Sequence, residues 1–444
     1  MNMQPYYGRV ALRPKPEATR RAVGAVLYVL GMLAGLFFLV VVFVGPMLAS
    51  KHPDADMSAM LIGAIFALPP LAVYLWIPWI IDRYDPEPWW CLLLALSWGA
   101  IAACGFSALI NTGVHVIGNA IGGAEFGDAI GACISAPIVE EFMKGLAVFG
   151  VFYFLRREFD GIVDGVIYAT FAALGFAAIE NIIYYGAAAK TEMLTHKDGI
   201  LLGTFVVRGI LAPWGHPLYT SMTGIGFGIA RETNKTWLKW LAPAGGYLFA
   251  VLLHSTWNTA ALISNELVAF MLPLWFLFVL AFLGVLIWLV RRKGRIIRDH
   301  LKDEVLMGHL TPWELDLVTS PVARLRATFS FGGSVGRKFI DVAARLALSK
   351  WHARRATQGR KLTISADLIV PLRQELHMLR AAVSRALGRP VPLPRPWTAP
   401  PSPYAGWQPP APQAAWPGQG PNYGPGYRPV QAPWPYRPPR RPPY

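Results

Sequence analysis

The sequence predicts an all-α fold. We expect a polytopic membrane bundle of about eight transmembrane helices, then a small cytoplasmic helical region and a disordered Pro-rich tail. Three observations lead there. Of the 444 residues, 54% are hydrophobic and 15% charged, against about 45–50% and 25% in ordinary soluble domains. The apolar residues gather in runs as long as a bilayer core requires. The segments between runs alternate between basic and nearly uncharged, as loops on opposite membrane sides do.

The runs fall at 22–48, 58–81, 90–117, 130–155, 162–188, 200–230, 240–263 and 267–290. The first is too long for a signal-peptide core and reads as an uncleaved span. The sixth holds Arg208 and His216 and has the weakest edges. One set of connecting segments carries Arg9, Arg13, Lys15, Arg20, Arg21, Arg83, Arg156, Arg157, Arg231, Lys235, Lys239 and Arg291 to Lys293; the other carries Lys51, Lys190 and Lys197. Positive charge on the cytoplasmic side places both termini there, and an even span count requires the same. The expected organisation is a basic cytoplasmic arm (1–21), a transmembrane domain (22–290), a cytoplasmic amphipathic helical region (291–388) and the disordered tail (389–444).

Net charge is +15, but its clustering at the ends of apolar runs suits anionic lipid and excludes a nucleic-acid reading. Cys91, Cys104 and Cys133 form no CxxC pair, so neither a disulfide scaffold nor a thiolate metal site is indicated.

Within the apolar runs a few ionisable residues stand out. Glu140 and Glu141 are adjacent, with Lys144 one turn on. A single carboxylate at the bilayer centre costs about 2.5–3.5 kcal/mol on insertion scales, so two together need a use. Glu141 lies 15 residues before Arg156, Glu180 lies 16 after Asp164, His216 lies 15 before Arg231 and His254 lies 15 after Lys239. At 1.5 Å per residue each sits about 22 Å from the basic end of its run. Four consecutive runs thus bring an acid or imidazole to one depth, in the outer half of the core, as a shared polar cavity requires. His254 and Asn258 share a helix face; Lys144 and Arg208 are placed to tune carboxylates.

Carboxylates and imidazoles in such a cavity suit peptide hydrolysis in two schemes. A zinc ion held by His and a carboxylate acidifies bound water. Alternatively a Glu activates water directly, with His and Asn as donors. HExxH and GxGD are absent. Gly332 to Gly336 matches GxSxG without the strand–helix context that pattern needs. Gly224, Gly226 and Gly228 read as close helix packing. An ion- or proton-coupled transporter uses similar residues, although no duplicated halves are visible; a membrane scaffold working through its tail is a third reading.

Ala136-Pro137-Ile138-Val139-Glu140-Glu141-Phe142-Met143-Lys144 resembles the A-P-x-x-E-E-x-x-K motif of the PrsW family of intramembrane proteases. That family is distantly similar to the CAAX-processing and bacteriocin-processing membrane proteases. Asp82 to Trp89 (DRYDPEPW) resembles its D-R-Y-x-x-E-P loop. Asp164-Gly165 followed by Gly175-Phe176-Ala177-Ala178-Ile179-Glu180-Asn181 resembles its G-F-x-x-x-E-N motif. His216 and His254 stand at its two histidine motifs. The resemblance runs from about residue 58 to 290.

The resemblance implies an intramembrane endopeptidase acting on a membrane-tethered, single-span protein; in relatives the substrate is an anti-sigma factor cut near the outer face. It implies that Glu140 and Glu141 supply a general base and a ligand or oxyanion partner, with Asn258 a further polar contact. Glu180, His216 and His254 would hold zinc or orient the water. The family's usual classification favours a metalloprotease, and the metal-free glutamate scheme stays open. Expected partners are that substrate, membrane lipids and a partner for the Pro-rich tail, in a multi-pass cell-membrane protein.

Overall fold

The computed structural model describes residues 15–81, 84, 86–320, 322, 327, 330–358 and 365–391. The first fourteen residues of the basic arm, Asp82, Arg83 and Asp85 of the DRYDPEPW loop, and the tail from 392 lie outside the described residues.

Every regular element among the described residues is a helix. Helix α1 (Lys15–Leu39) continues through a π-helical turn at Val40–Val44, so helix begins inside the segment expected as an arm. Helix α2 (Pro53–Ile81) follows. Helices α3 (Trp89–Ser97) and α4 (Cys104–Gly122) are joined by π segment Trp98–Ala103. Then come α5 (Ala124–Ile130), α6 (Ala136–Phe154), α7 (Ile162–Thr195), α8 (Ile200–Phe205), α9 (Gly215–Glu232), α10 (Thr236–Ile263) and α11 (Asn265–Leu306).

Among the described residues five stretches are long and apolar enough to cross a membrane: Ala18–Leu48, Pro53–Pro78, Trp89–Gly122, Ile162–Thr195 and Asn265–Leu306. With apolar side chains such as Phe37, Trp76 and Phe270 turned outward, they make a polytopic helical membrane protein. The runs expected at 130–155, 200–230 and 240–263 are helical as well but fall outside that group, the first because Glu140, Glu141 and Lys144 lie in α6. The sixth run is not one helix. It breaks at Ala212–Trp214, between π segment Val206–Leu211 and α9, because Pro213 cannot donate to the ladder and turns Ala212 away from helical geometry.

Helix α7 is the central element: 89% of its apolar window is buried, against 6–39% for the other four stretches. Its small residues let neighbours close in. A Cβ on Gly165 would stand 2.1 Å from the Gly224 carbonyl oxygen, and one on Gly224 2.2 Å from that of Gly165. These glycines, with Gly226 and Gly228, are therefore helix-packing residues. The α7 N-terminus is capped by Asp164, which accepts from the backbone N–H of Asp160 (2.6 Å) and Gly161 (3.0 Å).

Helix α11 runs unbroken past Val290 and joins α12 (Pro312–Thr319), α13 (Gly333–Gln358) and α14 (Ser365–Leu387) around a core of their own. Phe331, Phe339, Leu346, Leu376 and Val383 fill that core, and Tyr84 and Ile81 reach into it from the membrane side. Two buried carboxylates pin it: Glu304 takes both arms of Arg373 (2.7 and 2.8 Å), and Glu314 takes Arg380 (2.7 and 2.8 Å). The C-terminal helices thus form a packed domain rather than separate helices spread on a leaflet. The GxSxG-like segment opens α13 here, and no strand precedes it among the described residues.

Candidate active site and metal centre

Helix α6 starts at a proline. Pro137 near the first turn costs its own helix nothing, but it leaves without a donor the carbonyls four and five residues earlier, those of Cys133 and Ala132. Helix α10 supplies the missing donors: Ser255 Oγ bonds the Cys133 oxygen at 2.6 Å and Asn258 Nδ2 bonds the Ala132 oxygen at 2.9 Å. Tyr247 adds a bond to the Ile138 oxygen at 3.0 Å. The proline thereby fixes α10 against α6 in one register.

One turn beyond Pro137 that register brings four helices' polar groups together. Glu141 is fully buried and fully engaged: Lys144 Nζ lies 2.6 Å and His254 Nδ1 3.1 Å from its Oε1, and Thr220 Oγ1 donates to Oε2 at 2.8 Å. Glu180 on α7 accepts from Arg208 Nη2 at 2.9 Å and from His216 Nε2 at 2.6 Å. Arg208 also donates to Asn181 Oδ1 at 2.9 Å and lies over the Tyr184 ring. Lys144 Nζ is 3.0 Å from His216 Nδ1 and 3.8 Å from Glu140 Oε2.

Glu140 differs from its neighbour. Its Oε1 has one long contact, from Asn111 Nδ2 at 3.4 Å, with Asn111 held in turn by Ser135 Oγ at 2.8 Å. Its Oε2 is buried and accepts no hydrogen bond. That oxygen faces His254 Nε2 at 3.9 Å. The His216 and His254 rings stand nearly perpendicular, centroids 5.1 Å apart, and Tyr219 stacks on His254.

The cluster is reachable from one side. Glu141 and Lys144 have no exposed side-chain surface, whereas Arg208, Glu180 and His216 keep 25%, 19% and 14%.

A sequence model for the family described as "PrsW family intramembrane metalloprotease" matches residues 87–289. Over that stretch the chain is similar to the PrsW family. The protease PrsW of Geobacillus kaustophilus (strain HTA426) is 31% identical over 152 residues, 32% of this chain and 59% of the relative. That of Oceanobacillus iheyensis (strain DSM 14371) is 32% identical over 129 residues, 29% of this chain and 53% of the relative. The Bacillus subtilis (strain 168) protein is 26% identical over 223 residues, 49% of this chain and 87% of the relative. The chain thus spans little more than half of the first two relatives' length. No solved structure matches it.

The donor set fits a metal ion. Glu140, His216 and His254 offer ligand atoms within 4.8 Å of one another. The unpartnered Glu140 Oε2 is the kind of buried atom that a native site retains only for use. Each imidazole also has one nitrogen tied to a carboxylate, His254 Nδ1 to Glu141 and His216 Nε2 to Glu180. That pattern fixes both rings and leaves His254 Nε2 for a cation, whereas His216 Nδ1 lies 3.0 Å from Lys144 Nζ, which a bound ion would displace.

This geometry revises two expectations. The metal-holding carboxylate was expected to be Glu180 with His216 and His254; the carboxylate whose oxygen lies within 4.8 Å of ligand atoms on both imidazoles is Glu140, while Arg208 and His216 both bond the Glu180 oxygen Oε2. Asn258, expected among the catalytic residues, spends its amide on the Ala132 carbonyl that Pro137 leaves free. Lys144 and Arg208 are paired with the carboxylates as expected.

Asn111, Ser135, Thr220 and Tyr219 were not anticipated. Thr220 lies one turn after His216, and Asn111 is a lone amide deep in an apolar run; both signals were present. Of the DRYDPEPW loop, Glu87 is described: its carboxylate takes the hydroxyl of Tyr168, which tethers the loop to α7.

Proposed function

We propose that this chain is an intramembrane endopeptidase that cleaves membrane-tethered, single-span proteins. Glu140 is its reacting carboxylate, and the chain lies in the cell membrane with both termini cytoplasmic and the site in the outer half. The observation that carries the reading is the free, buried Glu140 Oε2 beside two imidazoles, each held by a carboxylate of its own. The names of the relatives, proteases all, support it.

The residues divide the work. Glu180 and Glu141 hold His216 and His254 in the tautomers that turn Nδ1 and Nε2, respectively, toward Glu140. Arg208 and Lys144 pair with the two supporting carboxylates, at 2.9 and 2.6 Å. Thr220 and Tyr219 fix Glu141 and His254 from a third helix. A zinc ion held by Glu140, His216 and His254 would supply an acidified water and a polarised peptide carbonyl. A substrate would approach from the Glu180–His216–Arg208 side, the one with exposed surface.

The test is cleavage in proteoliposomes containing the purified chain and a single-span membrane protein. The wild type releases a shortened fragment and Glu140→Gln releases none. An intact substrate with active-site metal present and the membrane sealed would contradict the proposal and return the cluster to the ion-coupled transporter reading.

A further inference from the structure

A cavity of about 740 Å³ opens at the basic ends of α6, α9 and α10, where α13 comes against them. Its walls combine two chemistries. Phe152, Tyr153 and Trp240 line it, and Tyr153 and Trp240 keep 48% and 79% of their surface exposed. Arg156, Arg231 and Arg355 line it too, Arg231 lying over the Phe152 ring.

The charge there is balanced only in part from within, Asp160 and Asp164 acting on Arg231 and Glu232 on Arg355 from a distance. Among the described residues neither Arg156 nor Arg355 has a carboxylate partner; Arg355 lies over the Trp351 ring instead. Arg231 donates to the Phe152 carbonyl at 2.6 Å, and its Nε is buried without a partner. The lining carboxylate, Glu232, is already taken by Arg292 Nη1 at 3.1 Å and the Ile162 N–H at 3.2 Å. Clustered cations repel one another, so the arrangement calls for an anion.

We propose that this cavity binds the headgroup of an anionic phospholipid, the phosphate between Arg156, Arg231 and Arg355 and the acyl chains along the exposed Phe149 and Tyr153 face. The volume lies within the usual range for a ligand of that size, roughly 300–1,000 Å³. Exposed Trp and Tyr rings mark a membrane interface, and basic pockets between membrane helices suit acidic headgroups. A free phosphate would satisfy the cations but leave the aromatic wall without a purpose. Because Arg355 comes from α13 and Arg156 from the α6 end, a bound lipid would join the C-terminal domain to the membrane bundle. The proposal does not depend on the protease reading.

Native mass spectrometry of the full chain in detergent, titrated with phosphatidylglycerol or phosphatidylcholine, tests it. Phosphatidylglycerol should be retained in preference to phosphatidylcholine. The Arg156→Gln/Arg355→Gln pair should weaken it about thirtyfold, from about a factor of five to six per basic contact. Arg156→Lys/Arg355→Lys should recover most of that loss. The exposed pair Lys302→Gln/Arg354→Gln, outside the cavity, should leave retention within about twofold. Equal retention of the two lipids, an equal loss in the Lys302/Arg354 control, or full competition by inorganic phosphate alone would overturn the assignment.

Discussion

Glu141 Oε1 lies 3.1 Å from His254 Nδ1, and that contact decides which edge of the imidazole is free. With Nδ1 committed, Nε2 is the nitrogen left, and it faces Glu140 Oε2 at 3.9 Å. Under the proposed function, two residues adjacent in the chain have opposite duties: Glu141 holds His254 and Glu140 reacts.

Glu140→Gln and Glu141→Gln should separate those duties. The first should abolish cleavage, a loss on the order of 10²–10⁴-fold or more, while shifting stability by about 1 kcal/mol, since Oε2 accepts no hydrogen bond and its ion-pair contacts to Lys144 and His254 are long, 3.8 and 3.9 Å. The second should destabilise by roughly 3 kcal/mol, because it strips a buried Lys144 of its 2.6 Å counter-ion. Thermal unfolding in detergent, run beside the cleavage assay, reads both.

Glu180→Gln should leave the fold in place and weaken metal binding. Its carboxylate orients His216 from behind, at 2.6 Å, and removing such a partner commonly costs about 10–100-fold in metal affinity. Competition against a chelator of known affinity measures that loss.

Asn258→Ala should act through structure. It frees the Ala132 carbonyl beside Pro137 and should cost about 1–3 kcal/mol. The pH profile of the remaining activity should keep the wild-type shape, since the residue bonds neither Glu140 nor an imidazole.

The C-terminal domain should lose stability on acidification. His309 Nδ1 and His377 Nε2 lie 3.1 Å apart. Burial and then the Arg373 charge depress His309, and burial followed by Arg380 and Arg373 depresses His377. A histidine whose folded value is depressed binds its proton more readily when unfolded. Its contribution is therefore present above the unfolded value of about 6.5 and is lost as pH falls through and below it. His377→Gln should flatten that dependence in pH-resolved unfolding curves.

Much of the site was legible because membrane burial makes charge conspicuous. Glu140, Glu141, Lys144, Glu180, Arg208, His216 and His254 stand against apolar background, and counting from the basic ends placed four of them at one depth. Their division of labour was not legible. That Glu180 rather than Glu140 receives the Arg208 guanidinium depends on the π-helical turn at Val206–Leu211 and the break at Pro213. The role of Asn258 was hidden for a related reason: the carbonyl it serves is freed by a proline on another helix. The helix-packing role of Gly224, Gly226 and Gly228 was readable from their spacing alone. That the C-terminal helices build their own core was not readable, because a stripe of leucines looks the same facing lipid or facing Phe339.

The central claim is that Glu140, His216 and His254 together hold a catalytic metal ion, and metal stoichiometry of the purified full chain tests it most directly. The account predicts one zinc ion per wild-type chain and loss of that ion in Glu140→Gln and in His254→Ala, with both variants still folded. A metal-free wild-type chain that cleaves its substrate at full rate would contradict it.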